Sequence, residues 1–279
     1  MWGFLYIYSN LLLRKQGVEN TMPLLASTEN PFGGVIVDPK GLVENPLVFQ
    51  NDLCQSVASW RTQSYRVVWL EIPIELSKLI PVAVEQGFVF HHSGNDYLML
   101  TCCLEQDAFV PAYASHYIGA GGVTLNSRQE LLVVSEKHHR SDGSPPRYKL
   151  PGGALFEGEH LAEGVVREVL EETGIQTEFD ALVCFRHWHN YRYGKPDIYF
   201  VCRLHPITEE ISIQEEEIAE SLWMPVNEYL EAENVHVFNK RIVCAAMTSP
   251  GITPSKIQGY DDSDKYEFFM PGDSALPPL

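Results

Sequence analysis

The acidic segment Gly152–Ile175 carries the residues of this sequence that are best suited to chemistry. Within it, Glu168, Glu171 and Glu172 recur at the spacing i, i+3 and i+4, which places three carboxylates on adjoining faces of a helix. Arg167 lies four residues before Glu171 and is predicted to orient or partly neutralise that carboxylate. Such a cluster is either the solvated face of a helix or a set of ligands for a hard cation.

Three features of this segment favour cation binding over a solvated surface. Carboxylates near the carboxyl end of a helix oppose its macrodipole, at a cost of about a few tenths of a kcal/mol each. Like charges at i,i+4 repel by roughly 0.2–0.5 kcal/mol. A glycine-rich turn, LPGGALFEGE, precedes the helix and is not needed merely to enter one. Because carboxylate and carbonyl oxygens are the ligands that Mg²⁺ and Mn²⁺ prefer, the segment predicts a divalent-cation site.

The spacing of the segment also reproduces the signature of a known family. Gly153 is followed after five residues by Glu159, and after seven more by REVLEETGI at Arg167–Ile175. On these residues the sequence is identified as a member of the Nudix hydrolases. The resemblance implies hydrolysis of a nucleoside diphosphate linked to another moiety, with Mg²⁺ or Mn²⁺ as the cofactor.

The resemblance further implies roles for individual residues. The implied metal ligands are Glu168, Glu171, Glu172 and the carbonyl of Gly152. Arg167 resembles the residue that positions a ligand carboxylate, and Glu159 resembles the one that anchors the preceding loop to the helix. The structural positions of the signature are Gly153, Glu159 and Gly174.

A second acidic run, Glu215–Glu217, precedes Trp223 by a few residues. Taken alone, such a run is most often solvated surface. In the family that the sequence resembles, a glutamate just before a Trp-containing strand completes the site as a base or an extra ligand. Glu217 resembles that residue and joins the predicted catalytic set of Glu168, Glu171, Glu172 and Arg167.

Composition and charge limit the classes of partner. The 279 residues carry a formal charge of −17, which argues against a sequence-independent grip on nucleic acid but not against a small phosphate-bearing substrate held through a divalent cation. The six cysteines include no CxxC pair, so buried reduced thiols in an intracellular protein are expected and a zinc site is not.

Hydrophobic periodicity predicts two units that position these residues. Residues 30–108 read as helix, strand, a second helix containing Pro81, and a hairpin. Residues 115–248 read as strands around the acidic helix, ending in two short helices. The predicted fold class is α/β: an α/β/α sandwich with a mixed sheet, preceded by a small α/β domain.

The two ends of the chain are predicted to lie outside these units. Residues 1–29 contain a short apolar run followed by Arg14 and Lys15, the reverse of a secretory signal, and are interpreted as a disordered leader. An organellar presequence is the alternative to a cytoplasmic location. Residues 249–279, which are rich in proline and polar residues, are expected to be disordered or loosely packed.

Resemblance outside the signature favours one subgroup. The stretches FGGVIVD, VVWLEIPIELSKLIPVAVEQGFVFHHSGNDYLMLT, YASHYIGAGGVTLN and GKPDIYFVCRL resemble the fibroblast-growth-factor-antisense Nudix proteins of animals and the plant ADP-ribose/NADH pyrophosphatases. That subgroup carries an amino-terminal pre-Nudix domain. It implies ADP-ribose and NADH as substrates, with release of AMP and a second phosphate product.

A run of cationic and aromatic residues is predicted to bind the substrate. Arg186, His187, Trp188 and Arg192 are expected to lie in a loop after a strand, where they would stack a base or grip a phosphate. The alternative is an exposed loop of mixed residues.

The expected partners follow from these interpretations. They are a small nucleotide and, through packing or dimerisation of the pre-Nudix unit, a second copy of the chain; no membrane and no long nucleic acid is expected. A regulatory protein that binds a nucleotide or a partner, with incidental catalysis, is the alternative function.

Overall fold

The computed structural model describes residues 24–137 and 147–272, and the chain divides after Ala114 into two compact units. Most of the predicted leader, residues 1–23, lies outside the described residues. The rest of it is ordered, because Leu25 is buried in the core of the first unit and Ser27–Glu29 form a strand. The prediction of a disordered leader is therefore wrong for residues 24–29.

The first unit is a five-stranded sheet covered by helices. Its elements are β1 (Ser27–Glu29), β2 (Gly34–Val37), α1 (Pro46–Thr62), β3 (Val67–Pro73), α2 (Ile80–Glu85), β4 (Val89–Ser93) and β5 (Tyr97–Cys103). The strands lie in the order β1-β2-β3-β5-β4. Helix α1 begins at a proline capped by the side chain of Asn45 and buries Phe49, Leu53 and Trp60, as its periodicity predicts.

The segment predicted as one helix around Pro81 is divided in two. Residues Ile74–Leu79 form a 3-10 helix, and α2 begins at Ile80. Pro81 lies in the first turn of α2, where its missing N–H has no intrahelical acceptor to lose. The proline therefore starts a helix here instead of interrupting one.

The second unit contains a mixed sheet and a separate antiparallel pair. Its elements are β6 (Tyr117–Thr124), β7 (Glu130–Glu136), β8 (Gly152–Ala154), α3 (Leu161–Thr173), β9 (Thr177–Trp188), β10 (Asp197–Pro206), β11 (Ile218–Pro225), α4 (Val226–Glu231), α5 (Val237–Thr248), β12 (Thr253–Pro254) and β13 (Phe269–Met270). The larger sheet has the order β8-β6-β10-β9, in which β6 and β10 are parallel and the other pairs antiparallel. Strand β7 pairs with β11. The predicted α/β class with mixed sheets is confirmed.

Two strands of the second unit bear directly on the predicted site residues. Strand β8 has only three residues, and the segment before it contributes an isolated bridge between Lys149 and Val134. Strand β9 extends to Trp188 because it pairs with β10 along its whole length. Arg186, His187 and Trp188 therefore lie on a strand, and their prediction as loop residues is wrong.

The carboxyl-terminal segment is packed as far as the structure describes it. Strands β12 and β13 pair with each other, and the ring of Phe269 lies 5.5 Å from that of Phe179 at the edge of the core. The guanidinium of Arg203 donates to the carbonyls of Ala246 and Ser249, at the end of α5. Residues 249–272 thus differ from the expectation of a disordered or loosely packed tail, because apolar side chains and backbone pairing anchor them.

Cysteine exposure corrects one expectation. Cys102 and Cys202 are buried, but Cys54, Cys103 and Cys244 are exposed, since they lie on faces turned away from the cores. All six are free thiols. Across residues 24–137 and 147–272, no helix combines the length and apolar content that a membrane span requires.

Candidate active site

Helix α3 carries two of its carboxylates along its buried face. Leu161, Val165 and Val169 pack into the core and fix the rotation of the helix. Glu168 and Glu172 follow Val165 at successive spacings of three and four residues and so lie on this same face, and Glu172 is itself buried. Gly174 adopts a left-handed conformation at φ 73° and ends the helix, as its position in the sequence predicts. Packing of the apolar residues therefore determines where these carboxylates point.

Arg167 ties the loop before α3 to the helix. Its Nε donates to Glu159 Oε1 at 2.6 Å, and one terminal nitrogen donates to both Glu168 Oε1 (3.0 Å) and Glu171 Oε2 (2.9 Å). Glu159 in turn accepts a hydrogen bond from the backbone N–H of Phe156 at 2.9 Å. The hydrogen bonds with Glu159 raise the pKa of the Arg167 guanidinium, which stays charged. These contacts connect the loop before α3 to the helix and to two of its carboxylates.

Glu172 is the most deeply buried carboxylate of the cluster, with 6% of its surface exposed. Its Oε2 accepts a hydrogen bond from the Gly152 N–H at 2.9 Å, and its Oε1 lies 3.7 Å from Lys149 Nζ, which also contacts Glu136. Burial raises the pKa of Glu172 despite the nearby ammonium. Burial disfavours the charge of Lys149, but Glu172 and Glu136 raise the pKa of this lysine. The buried carboxylate of Glu172 thus keeps an incompletely compensated negative charge.

Two glycines bring the backbone against these carboxylates. Gly152 adopts φ 147°, and a Cβ there would collide with the Ala120 carbonyl oxygen and lie 2.5 Å from the Gly121 Cα. A Cβ on Gly153 would lie 2.5 Å from Glu168 Oε2. A side chain at either position would displace the backbone or the carboxylate, so the glycine-rich turn is required for this approach.

The donor set fits a hard divalent cation. Burial raises the pKa of Glu168 as well as that of Glu172, so both carboxylates would gain from an added positive charge. Among the residues that the structure describes, no three His, Cys, Asp or Glu side chains already converge on one metal position. Glu168 Oε1 and Glu171 Oε2 are hydrogen-bonded to Arg167 instead.

One cavity of about 610 Å³ joins the acidic cluster to the neighbouring strands. Its charged lining residues are Glu136, Lys149, Glu168, Glu172, Arg186, Arg192, Asp197 and Glu217. Five carboxylates and three cationic side chains leave this lining with a formal charge of −2. A phosphate-bearing ligand would therefore meet net repulsion unless a cation entered with it.

The cavity is also lined by aromatic and cationic side chains. They include Tyr117, Arg186, Tyr191, Tyr199 and Phe238. Arg186 donates to the buried carboxylate of Asp197 at 2.6 Å, and its guanidinium lies 5.3 Å from the ring centre of Tyr199 and 6.0 Å from that of Phe238. The Nε of Arg186 is buried and has no hydrogen-bond partner among the described residues. These side chains offer flat apolar surfaces beside a fixed positive charge.

The structure brings together only part of the predicted site. The cavity lining contains Gly152, Gly153, Glu168, Glu172, Arg186, Arg192 and Glu217. The lining does not contain Glu159, Arg167, Glu171, Gly174, His187 or Trp188. Glu171 is exposed, and His187 forms a contact of 3.1 Å with His116 outside the cavity. The roles predicted for the residues in the lining and for those outside it stay predictions.

Several lining residues escaped the sequence interpretation. Lys149 lies four residues before Gly153, and this closeness to the acidic segment was the feature of the sequence that could have indicated it. Asp197 and Tyr199 share one face of β10 by alternation, but nothing local distinguishes that face. Phe238 and Asn239 reach the cavity from α5, and only tertiary structure shows this.

A pH-dependent effect on stability follows from the burial of Glu172. The pKa of Glu172 is raised in the folded state, so the folded protein binds the proton of this carboxyl group more tightly than the unfolded chain does. Stability is therefore lost as pH rises through the pKa of the folded state. Glu172→Gln is therefore expected to raise the melting temperature of the metal-free protein at neutral pH. The gain should vanish below a pH of about 4, near the pKa of an unfolded glutamate.

Thermal denaturation in EDTA from pH 3.5 to 7.5 measures this effect. Lys149 keeps Glu136 as a partner in the variant, so no buried cation is orphaned. Glu163→Gln, an exposed position on the same helix, removes the same charge and should show no such pH-dependent gain. A lower melting temperature for Glu172→Gln at pH 7 would contradict the burial argument.

Comparisons with known proteins match both units. A model described as the Nudix hydrolase domain matches residues 25–104, and a model described as the NUDIX domain matches residues 115–246. Nudix hydrolase 8 of Arabidopsis thaliana is 39% identical over 84% of this chain and 66% of its own length. Nudix hydrolase 2 of the same organism is 38% identical over 87% and 90%. Nucleoside diphosphate-linked moiety X motif 6 of Homo sapiens is 37% identical over 70% and 61%.

Proposed function

The chain belongs to the Nudix hydrolase family, and from that premise we propose that it is a Mg²⁺- or Mn²⁺-dependent pyrophosphatase that cleaves ADP-ribose and NADH with release of AMP. The family implies hydrolysis of nucleoside diphosphate derivatives. The observation that carries the narrower proposal is a cavity whose lining combines carboxylates with aromatic and cationic side chains. The carboxylates suit a metal-bound diphosphate, and the aromatic and cationic groups suit the other parts of a dinucleotide.

The charge of the cavity supports metal dependence. A diphosphate adds two negative charges to a lining that already carries −2, and one or more divalent cations would offset this repulsion. Glu168, Glu172 and the Gly152 carbonyl would hold the cation, and Glu171 would join them only after leaving Arg167. When bound, the cation would neutralise charge on the diphosphate oxygens and favour ionisation of a water.

The chain's own groups would hold the substrate around that centre. Lys149 and Arg192 line the cavity and are suited to phosphate oxygens. Arg186 is held by Asp197 and offers its unpartnered Nε as a further donor. Glu217 lines the cavity beside β11 and is exposed to solvent. Its carboxylate is therefore accessible to a water from which it can accept a proton.

The aromatic lining residues support a nucleobase or nicotinamide as the second recognised part. Tyr117, Tyr191 and Phe238 are half-exposed rings that line the same cavity, so stacking on them requires little rearrangement. A volume of about 610 Å³ is within the range of sites that enclose one small ligand. These features favour a dinucleotide over a simple triphosphate.

A substrate panel tests the proposal. Initial rates with Mg²⁺ and with Mn²⁺ would be measured for ADP-ribose, NADH, a nucleoside triphosphate, coenzyme A and a capped RNA. The proposal predicts the highest kcat/KM for ADP-ribose or NADH, with AMP as one product of each. Higher kcat/KM for any of the other three would overturn the substrate assignment while leaving the family reaction intact.

Phe238 provides a test of the aromatic lining. Phe238→Ala should raise KM for ADP-ribose and NADH by about tenfold and leave kcat nearly unchanged, because it removes one stacking surface and no charged group of the cavity. Val237→Ala is the matched control, since Val237 is the preceding residue, is exposed and does not line the cavity. Steady-state kinetics of both variants measure these changes in KM and kcat. Equal KM values would exclude Phe238 from binding.

A further inference from the structure

The amino terminus of α3 is capped by a residue from the far end of the chain. His160 occupies the N-cap position but makes no side-chain cap hydrogen bond. Instead, Glu267 Oε2 accepts from the Leu161 N–H at 2.9 Å, and its Oε1 accepts from the Ala162 N–H at 3.2 Å. One carboxylate thus satisfies two of the helix's free N–H groups and places negative charge at the positive end of the helix dipole.

Further contacts hold Glu267 in this position. The half-buried Glu267 lies two residues before Phe269, whose ring packs against Phe179 at the edge of the core. A ring nitrogen of His160 contacts the Ser263 carbonyl oxygen at 2.7 Å. The carboxyl-terminal segment therefore contacts α3 through several groups around a single junction, and Glu267 is not a flexible surface side chain.

The junction is linked to the catalytic carboxylates by a short series of contacts. His160, the residue before the capped turn, follows Glu159 directly in the chain. Glu159 holds Arg167 through two hydrogen bonds, and Arg167 holds Glu168 and Glu171. These contacts form a continuous series from the first turn of α3 to the carboxylates two turns further along.

We infer that Glu267 is a positioning residue of the active site: it fixes the first turn of α3 and, through Glu159 and Arg167, the orientation of Glu168 and Glu171. The inference rests on the proposed function only in that these carboxylates are taken to be catalytic. No substrate contact is assigned to Glu267, which does not line the cavity.

The variant Glu267→Gln tests the inference, with Asp261→Asn as a control that removes the same charge from an exposed position in the same segment. We expect kcat to fall by about fivefold with KM unchanged, because Gln keeps one of the two acceptor oxygens but loses the other hydrogen bond and the charge of the cap, and the cavity is not altered. Amide exchange should become faster both in residues 160–164 and in residues 166–173. Asp261→Asn should match the wild type in every measurement.

A second substitution supplies a rescue. His160→Asp added to Glu267→Gln gives the helix a local N-cap, and it should restore kcat to within about twofold of the wild type. Faster exchange confined to residues 160–164, or an unchanged kcat in Glu267→Gln, would overturn the inference. If the wild-type protein cleaved no dinucleotide, the proposed function would fail, and exchange in residues 166–173 would still decide whether Glu267 positions the helix.

Discussion

Glu172→Gln is expected to lower kcat for dinucleotide hydrolysis by about 10³-fold, with little change in KM. Glu172 is a buried cavity carboxylate whose negative charge is only partly compensated, and Gln has nearly the same shape without that charge. The Gly152 N–H can still donate to the amide oxygen, so the glycine turn should keep its position. The loss would therefore report the missing charge and not a rearranged site.

Glu163→Gln separates this effect from a general change of charge on the helix. Glu163 lies on the exposed face of α3, outside the cavity, and its replacement should leave kcat within about twofold of the wild type. A Glu172→Gln enzyme with wild-type kcat at saturating Mg²⁺ would remove Glu172 from the catalytic set. Measured Mn²⁺ binding to the same variant gives a readout that does not depend on turnover.

Gly152→Ala is the second large expected effect, and it acts on stability. The residue adopts φ 147°, and its Cβ would collide with the Ala120 carbonyl oxygen, a backbone atom of β6 that cannot rotate away. Steric overlap and an unfavourable backbone conformation together should lower the free energy of unfolding by about 4 kcal/mol. Urea denaturation followed by tryptophan fluorescence measures the loss.

Gly158→Ala is the control for the backbone conformation alone. Gly158 also has a positive φ, of 80°, but a Cβ there would meet nothing within 4 Å. Gly158→Ala should lower the free energy of unfolding by only about 1 kcal/mol. If the two variants lost the same stability, close packing of the Gly152 backbone against β6 would not be the reason for the glycine.

The sequence predicted the parts of the site that are local in the chain. Helix α3, its end at Gly174 and the contact of Arg167 with Glu171 follow from spacing along a single helix, which the 3.6-residue period converts directly into geometry. The first helix and the hairpin of the first unit were equally accessible, because their apolar residues repeat with one period.

The parts that the sequence did not predict depend on contacts between distant segments. Strand β9 extends through Trp188 because β10 pairs with it, and no local signal separates its last residues from a loop. Phe238 enters the cavity from α5, and Glu267 reaches α3 from 106 residues away. The proline-rich composition beyond Thr248 suggested disorder, but Phe269 supplies enough apolar contact to hold that segment.

The most direct test of the proposed pyrophosphatase is AMP release from ADP-ribose and NADH by the purified wild-type protein, with Mg²⁺, with Mn²⁺ and with EDTA, beside Glu172→Gln. We expect AMP in equal amount to ribose 5-phosphate or to reduced nicotinamide mononucleotide, dependent on metal and lost in the variant. AMP release that persists in EDTA would contradict metal dependence. No cleavage of either compound under any condition would contradict the proposed pyrophosphatase.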